Sequence, residues 1–154
     1  MADYSLLRGL PKGSWASGTT VRQVMRANRS RDTRPELSLR RAAHRVGLRY
    51  FVNREPFPKA GCRADLVFPR ARVAVFVDGC FWHACPTHGR RPVTNRGYWE
   101  AKLDRNQARD RAVDAHLEDA GWRVVHVWEH DDMVAAARAL RHLLKVEVGD
   151  GRTR

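Results

Sequence analysis

Apolar and polar residues repeat along the chain with a helical period in some segments and a strand period in others. The T-x-x-E spacing from Thr33 to Glu36, with Pro35 between them, is typical of a capped helix start. Gly47, which suits a left-handed backbone, is predicted to end this helix. Its buried side is predicted to consist of Leu37, Leu39, Ala42, Ala43 and Val46. A short basic helix is predicted before it, over residues 20–29.

The rest of the pattern predicts a mixed α/β architecture. The run from Val73 to Val77 is apolar throughout, which is typical of a strand buried on both faces of a sheet. The predicted strands cover 48–52, 65–68, 73–77 and 122–128, and the following predicted helices cover 98–120 and 131–145. We therefore expect an α/β fold with a central mixed β-sheet flanked by helices. The expected boundaries are a flexible tail over 1–18, one domain over 19–145 and a C-terminal tail over 146–154.

The 154 residues carry a strong excess of positive charge. Lys and Arg number 29 against 17 for Asp and Glu, so the formal net charge is +12. Such a field attracts phosphate polyanions and anionic membrane surfaces. No apolar run approaches the roughly 18 residues of a membrane span, and the first residues lack a signal-peptide pattern. We therefore expect a cytoplasmic protein without a membrane partner, whose nine arginines between Arg22 and Arg49 face a nucleic acid.

The loop over 78–97 is the candidate metal site. It contains Cys80, Cys85 and His88 within nine residues. Thiolate and imidazole are ligands that zinc prefers, and structural zinc sites have four protein ligands. The fourth ligand is then either His83, in the same loop, or a residue from elsewhere in the chain.

Asp110 is the distant candidate for that fourth position. Lys102, Asn106 and Asp110 recur at i, i+4 and i+8, so they share one face of the long predicted helix. This face either meets the metal loop or is an ordinary solvated surface with charge pairs.

Two acids and a histidine are candidates for hydrolytic chemistry. Metal-dependent phosphodiester cleavage needs hard oxygen ligands and a group that positions a water. Asp65 stands at the head of the second strand and Asp78 at the exit of the third, and His83 follows with a side chain that titrates near neutrality. The alternatives are a turn carboxylate for Asp65, a cap for Asp78 and a zinc ligand for His83.

Three aromatic residues accompany the loop. Phe81 and Trp82 lie inside it, and Trp99 begins the next helix. In a basic protein, exposed aromatic residues of this kind stack on bases or wedge between base pairs. The alternative is a small core over the metal site.

Four segments, in order, resemble the very short patch repair endonucleases, the Vsr family: MRANRSRDTRPE, AVFVDGCFWHACPTHG, YWEAKLDRNQARD and GWRVVHVWEH. The resemblance implies a restriction-endonuclease-like fold with a structural zinc loop. It also implies an enzyme that nicks one DNA strand next to the thymine of a T:G mismatch, which arises when 5-methylcytosine deaminates. The hydrolysis would depend on magnesium, and the nick would start very short patch repair.

The resemblance also implies catalytic roles. Asp65 would bind Mg²⁺ together with the main-chain carbonyl of Val77. His83 would be the catalytic base or would position the water, and Glu36 would support the network of metal and water. Asp78 stands where the best-studied member of the family has a histidine, and we group it with the catalytic residues.

The implied zinc and DNA contacts come from the same segments. The implied zinc ligands are Cys80, Cys85, His88 and Asp110. The residues implied to contact DNA are Met25, Phe81, Trp82, Trp99, Lys102 and Asn106. The three aromatic residues among them would wedge in from the major groove, and Met25 would enter from the minor groove.

The expected partner is double-stranded DNA with a T:G mismatch, bound by a monomer. The resemblance also implies that mismatch-repair proteins and a cytosine methyltransferase work beside it, and that the protein is at the nucleoid when it is bound to DNA. Two alternatives remain open: a non-catalytic zinc module that binds DNA, and a restriction-type nuclease that cuts a fully paired site.

Overall fold

The computed structural model describes residues 31–83, 85–88 and 96–150, with side chains up to Lys145. The predicted helix over 20–29, the candidate residue Met25 on it and the predicted N-terminal tail lie outside these residues. The described elements are α1 (Arg34–Arg45), β1 (Phe51–Arg54), β2 (Ala64–Phe68), β3 (Val73–Asp78), α2 (Arg96–Asp119), β4 (Arg123–Trp128) and α3 (Met133–Asp150).

Helix α1 begins where the capping pattern predicts, but with different hydrogen bonds. Thr33 is the N-cap residue, and its hydroxyl makes no cap bond to the helix backbone. It donates instead to Oε1 of Glu36 at 2.8 Å, while Oε2 of Glu36 accepts the N–H of Asp32 at 2.8 Å. Gly47 has a φ of 82°, the left-handed conformation predicted at the end of the helix.

The four strands form one mixed sheet in the order β1-β2-β3-β4. β1 pairs antiparallel with β2, β2 pairs antiparallel with β3, and β3 pairs parallel with β4. Helix α2 is the crossover between the two parallel strands, because a parallel pair cannot be joined by a hairpin. The prediction of an α/β fold with a central mixed sheet is confirmed.

Helices cover both faces of the sheet. On one face α1 and α3 pack on the larger core, which consists of Leu39, Ala42, Ala43, Leu66, Phe68, Val73, Val75, Val127, Met133, Ala137, Leu140 and Leu144. On the other face the end of α2 packs on a smaller core, which consists of Ala60, Ala64, Val67, Ala74, Leu117 and Trp122. Val73, Ala74 and Val75 of β3 are completely buried. This confirms the prediction of a strand buried on both faces.

The first strand begins three residues later than the sequence predicts. The predicted run covers 48–52, whereas β1 covers Phe51–Arg54. Leu48 and Tyr50 are partly buried and pack against the larger core from the connection after α1. Their apolar side chains therefore reflect packing beneath the helix and not membership of the strand.

Helix α3 is longer than predicted. It continues from Met133 to Asp150, so residues 146–150 belong to the helix and not to a C-terminal tail. No helix in the part of the chain that the structure describes is long and apolar enough to cross a membrane.

Candidate active site and metal centre

The candidate site lies where β3 and β4 end side by side. Their parallel register continues through Asp78, which lies opposite Trp128. The loop after β3 and the turn after β4 therefore leave the sheet at the same edge. The N–H of Glu129 donates to the carbonyl of Asp78 at 2.9 Å, and the Glu129 carboxylate accepts the N–H of Cys80 at 2.7 Å. These bonds tie the metal loop to the end of β4.

Asp65 lies at the beginning of β2, next to the end of β3. Its Oδ2 accepts the N–H of Val77 at 2.7 Å, which fixes the carboxylate between the two strands. Burial raises the pKa of the Asp65 carboxyl to about 6. The Val77 hydrogen bond and the positive charge of Arg40 oppose this shift, whereas the negative charges of Glu36 and Asp78 add to it. Asp65 is thus a half-buried acid near two other acids.

Glu36 lies on the first turn of α1 and is only 5 % exposed. Besides the bonds from the N–H of Asp32 and the hydroxyl of Thr33, its carboxylate accepts a hydrogen bond from Arg40 at 3.1 Å. This buried carboxylate therefore accepts three hydrogen bonds, and one of the three donors, Arg40, is also its ionic partner. Residues at the start of the helix thus hold Glu36 in place, and its negative charge raises the pKa of Asp65.

His83 and Asp110 form a hydrogen-bonded pair. Nδ1 of His83 lies 2.7 Å from Oδ2 of Asp110, which projects from α2. This bond raises the pKa of His83 against the effect of burial, and the charge of Asp78 acts in the same direction. Burial alone would raise the pKa of Asp110, but its bond to His83 and the nearby Arg109 lower it. The arrangement orients the imidazole through one ring nitrogen.

Asp78 stands between two histidines. It is 6 % exposed, its Oδ1 lies 3.7 Å from Nδ1 of His83, and its Oδ2 lies 2.6 Å from Nδ1 of His126. The sequence indicates Asp78 but gives no sign of His126, because strand β4 reads as an ordinary apolar run. The parallel pairing of β3 and β4 is what brings the two together.

A separate group of thiols and imidazoles can hold a metal ion. The ligand atoms of Cys80, Cys85, His88 and His130 all lie within 4.8 Å of one another. Sγ of Cys80 lies 3.0 Å from Nδ1 of His130, and Sγ of Cys85 lies 4.0 Å from Nδ1 of His88. Both cysteines are buried, and both histidines are exposed.

This group differs from the expected ligand set in one member. Asp110, expected as the fourth zinc ligand, lies against His83, whereas His130 lies beside Cys80 and is the fourth member of the group. His130 lies two residues after the end of β4, and the sequence alone does not indicate it, because the pairing of β4 with β3 is not visible in the local pattern.

The aromatic residues pack against one another around a lysine. The Phe81 ring centroid lies 4.9 Å from that of Trp82 and 5.4 Å from that of Trp99. Nζ of Lys102 lies 5.1 Å from the centroid of Trp82 and 5.3 Å from that of Trp99, within the range of a cation–π contact. Asn106 donates to the carbonyl of Trp82 at 3.4 Å. The residues expected to contact DNA, Met25 aside, thus form one half-exposed group on α2 and the metal loop.

Comparison with known proteins bears on this geometry. The family model described as DNA mismatch endonuclease Vsr matches residues 17–88. The type II nicking enzyme V.NaeI of Lentzea aerocolonigenes is 48 % identical over 151 residues, which are 91 % of this chain and 90 % of that protein. The chain belongs to the Vsr family.

Further relatives of this Vsr-family protein are similar over most of its length. The type II nicking enzyme V.XorIIP of Xanthomonas oryzae is 40 % identical over 80 % of this chain and 90 % of its own. The DNA mismatch endonuclease Vsr of Escherichia coli K12 is 36 % identical over 68 % of this chain and 66 % of its own. The family and its relatives identify a DNA endonuclease.

Proposed function

We propose that this Vsr-family endonuclease nicks one strand of double-stranded DNA next to the thymine of a T:G mismatch, by magnesium-dependent hydrolysis, and so starts very short patch repair. The pair formed by His83 and Asp110, with Asp78 at 3.7 Å from the same ring nitrogen, is the observation that carries the catalytic part of this proposal. The mixed sheet, with Asp65 on β2 next to the end of β3, supports the proposal of a restriction-endonuclease-like fold.

His83 has the setting of a general base. When Nδ1–H donates to Asp110, the other ring nitrogen keeps its lone pair and can accept a proton from an attacking water. The carboxylate then stabilises the imidazolium that forms, because the positive charge develops 2.7 Å from a negative one. Asp78, at 3.7 Å from the same nitrogen, adds a second negative charge.

The acids fit a divalent cation. Asp65 has a raised pKa because it is buried near the like charges of Glu36 and Asp78, so a bound cation would relieve that repulsion. Asp65 and the main-chain carbonyl of Val77 would hold Mg²⁺, since hard oxygen atoms are its preferred ligands. When bound, Mg²⁺ supplies electrostatic stabilisation for the charge that develops on the phosphate. Glu36, fixed by its three donors, would orient water near the ion.

Cys80, Cys85, His88 and His130 fit zinc. Bond lengths of about 2.3 Å to sulfur and 2.0–2.1 Å to nitrogen place tetrahedral S and N ligands about 3.6 Å apart. Three of the sulfur-to-nitrogen distances in this group are 3.0, 3.9 and 4.0 Å, on both sides of that value. Four protein ligands leave no open position, so zinc here would be structural and would brace the loop that carries His83.

DNA contact is proposed for one surface. Phe81, Trp82 and Trp99 offer ring surfaces for stacking at the mismatch, and Lys102 and Asn106 lie directly behind them. Met25 would act from the other groove. The net charge of +12 supplies the attraction to phosphate that any such complex needs. The proposed complex contains one copy of the chain, with mismatch-repair proteins and a cytosine methyltransferase acting on the same DNA.

A second candidate function is nicking at a specific sequence of a fully paired duplex. Two of the relatives just described carry the name type II nicking enzyme, which favours this reading without the mismatch. The catalytic proposal is the same in both cases, and only the substrate differs. A non-catalytic zinc module would explain the charge and the cysteines but leaves the paired His83 and Asp110 without a use.

Two duplexes of one sequence distinguish these substrates, one with a T:G mismatch and one with T:A at that position. Each is incubated with the protein, with and without Mg²⁺. The proposal predicts a nick beside the thymine of the mismatched duplex and no nick without the metal. Equal cutting of both duplexes across a panel of sequences would remove the mismatch requirement and favour the second candidate.

A further inference from the structure

His126 is the one histidine of the described residues whose two ring nitrogens both contact carboxylates of other elements. It projects from β4, with Nδ1 2.6 Å from Oδ2 of Asp78 and Nε2 3.1 and 3.2 Å from the two oxygens of Asp114. Its ring also stacks on Phe76, with centroids 5.6 Å apart and planes at 20°. These contacts connect β4 to β3 and α2 at the edge of the candidate site.

The contacts distinguish His126 from His83. Among the described residues, His83 is held at Nδ1 alone, which leaves its second nitrogen for chemistry. An imidazole can satisfy two carboxylates only by donating from both nitrogens, and it then carries a positive charge and no lone pair. His126 is therefore a fixed cation and not a base. Its pKa is raised to about 9, mainly by the hydrogen bond to Asp78.

Asp78 needs such a partner. A buried carboxylate is costly unless it is hydrogen-bonded and paired with a positive charge. His126 occupies Oδ2 of Asp78, so that Oδ1 is left facing His83 at 3.7 Å. Asp114 holds the far side of the His126 ring and prevents it from turning away.

We propose that His126 and Asp114 are positioning residues of the endonuclease, which hold Asp78 with one oxygen directed at His83. The inference rests on the proposed function. The contacts run from Asp114 through His126 and Asp78 to His83. Asp110 contacts the same His83 ring from α2. In this arrangement Asp78 restricts the His83 ring and stabilises the charge that develops on it.

The test is a double-mutant cycle on single-turnover nicking, with protein in excess over the cleaved duplex. His126→Phe removes both hydrogen bonds and keeps a ring against Phe76, and it is made in the wild type and in Asp78→Asn. We expect it to slow nicking about 10-fold in the wild type, within the coupling range of one hydrogen-bonded network, and less than about 2-fold in Asp78→Asn. Asp114→Asn should give a smaller loss with the same dependence on Asp78.

Controls separate positioning from folding and binding. His142→Phe, at an exposed position on α3, should leave nicking unchanged. DNA affinity should stay within about 2-fold in every variant, because a positioning residue acts on the reaction step. An equal loss from His126→Phe in both backgrounds would overturn the proposal and leave a structural role only.

A spectroscopic measurement tests the state of the ring without any activity. In the ¹⁵N-histidine-labelled full chain at pH 7, both nitrogens of His126 should show imidazolium shifts, assigned by their loss in His126→Phe. Neutral imidazole shifts would overturn the proposal. A wild-type protein that shows the imidazolium but nicks none of the duplexes would instead contradict the proposed function.

Discussion

Sγ of Cys80 lies 3.0 Å from Nδ1 of His130, fifty residues further along the chain. The parallel register of β3 and β4 explains this contact, because Asp78 lies opposite Trp128 and each of the two side chains follows its strand by two residues. The pairing of β3 and β4 therefore places His130 at the proposed zinc site. Asp110 of α2 hydrogen-bonds His83.

His130→Ala should remove the metal. The wild type is expected to hold about one zinc ion per chain, as a four-ligand structural site does. The variant should hold far less and unfold at a lower temperature, whereas His130→Cys, which restores a thiolate ligand, should keep the metal. Elemental analysis of the purified proteins measures this. Full zinc content in His130→Ala, with loss in Asp110→Asn, would restore Asp110 to the ligand set.

Substitutions of His83 and Asp110 should slow nicking without weakening DNA binding. His83→Ala should slow single-turnover nicking about 10²- to 10⁴-fold, the usual contribution of a general base. Asp110→Asn should also slow nicking, because the imidazole loses its orienting carboxylate. Asp104→Asn, at an exposed position of the same helix, is the matched control. Similar rates for Asp110→Asn and Asp104→Asn would contradict the role given to Asp110.

The stabilisation that His126 contributes to the fold should depend on pH. Its pKa rises from 6.5 to about 9 on folding because Asp78 and Asp114 face it, so the stabilisation is complete below pH 6.5 and is lost as the pH rises through 9. The difference in free energy of unfolding between wild type and His126→Phe should therefore shrink across this interval. Urea titrations at pH 6, 7.5 and 9.5 measure it, and a difference that stays constant would contradict the assignment.

Removal of the Trp99 ring should weaken DNA binding. Stacking of a base on an aromatic side chain contributes about 1–3 kcal/mol, so Trp99→Ala should weaken binding to the mismatched duplex about 5- to 150-fold. Trp99→Phe keeps a ring beside Phe81 and should retain much of the affinity. Fluorescence anisotropy with labelled duplexes measures both. Unchanged affinity in Trp99→Ala would assign the ring to the packing around Lys102 alone.

Local sequence predicts the elements whose determinants are local. The start of α1 follows from Thr33, Pro35 and Glu36, and the burial of β3 follows from its unbroken apolar run. The hydrogen bonds at the helix start differ from those of a capping box. The Glu36 carboxylate accepts the N–H of Asp32 and the hydroxyl of Thr33, and not the N–H of Thr33. The β1 boundary differs because Leu48 and Tyr50 are apolar for packing against the core.

The proposed site depends on contacts between distant segments, and the sequence predicts it only in part. The loop itself supplies Cys80, Cys85 and His88, so their spacing is sufficient to indicate a metal site. The fourth ligand depends on which strand pairs with β3 and in what register, and neither is visible in the local pattern. The helix face that carries Lys102, Asn106 and Asp110 does meet the loop, but Asp110 reaches His83 and not the cysteines.

Strand cleavage at this site is expected to require the carboxylate of Asp65. Asp65→Asn keeps the shape of the side chain and an oxygen for the Val77 N–H, and it removes the charge proposed to hold the metal. The decisive measurement is nicking of the T:G duplex with Mg²⁺ by wild type and Asp65→Asn, with DNA affinity determined in parallel. We expect a nick by the wild type, no detectable nick by the variant and equal affinity in both. Equal nicking by the two proteins, or no nicking by either, would contradict it.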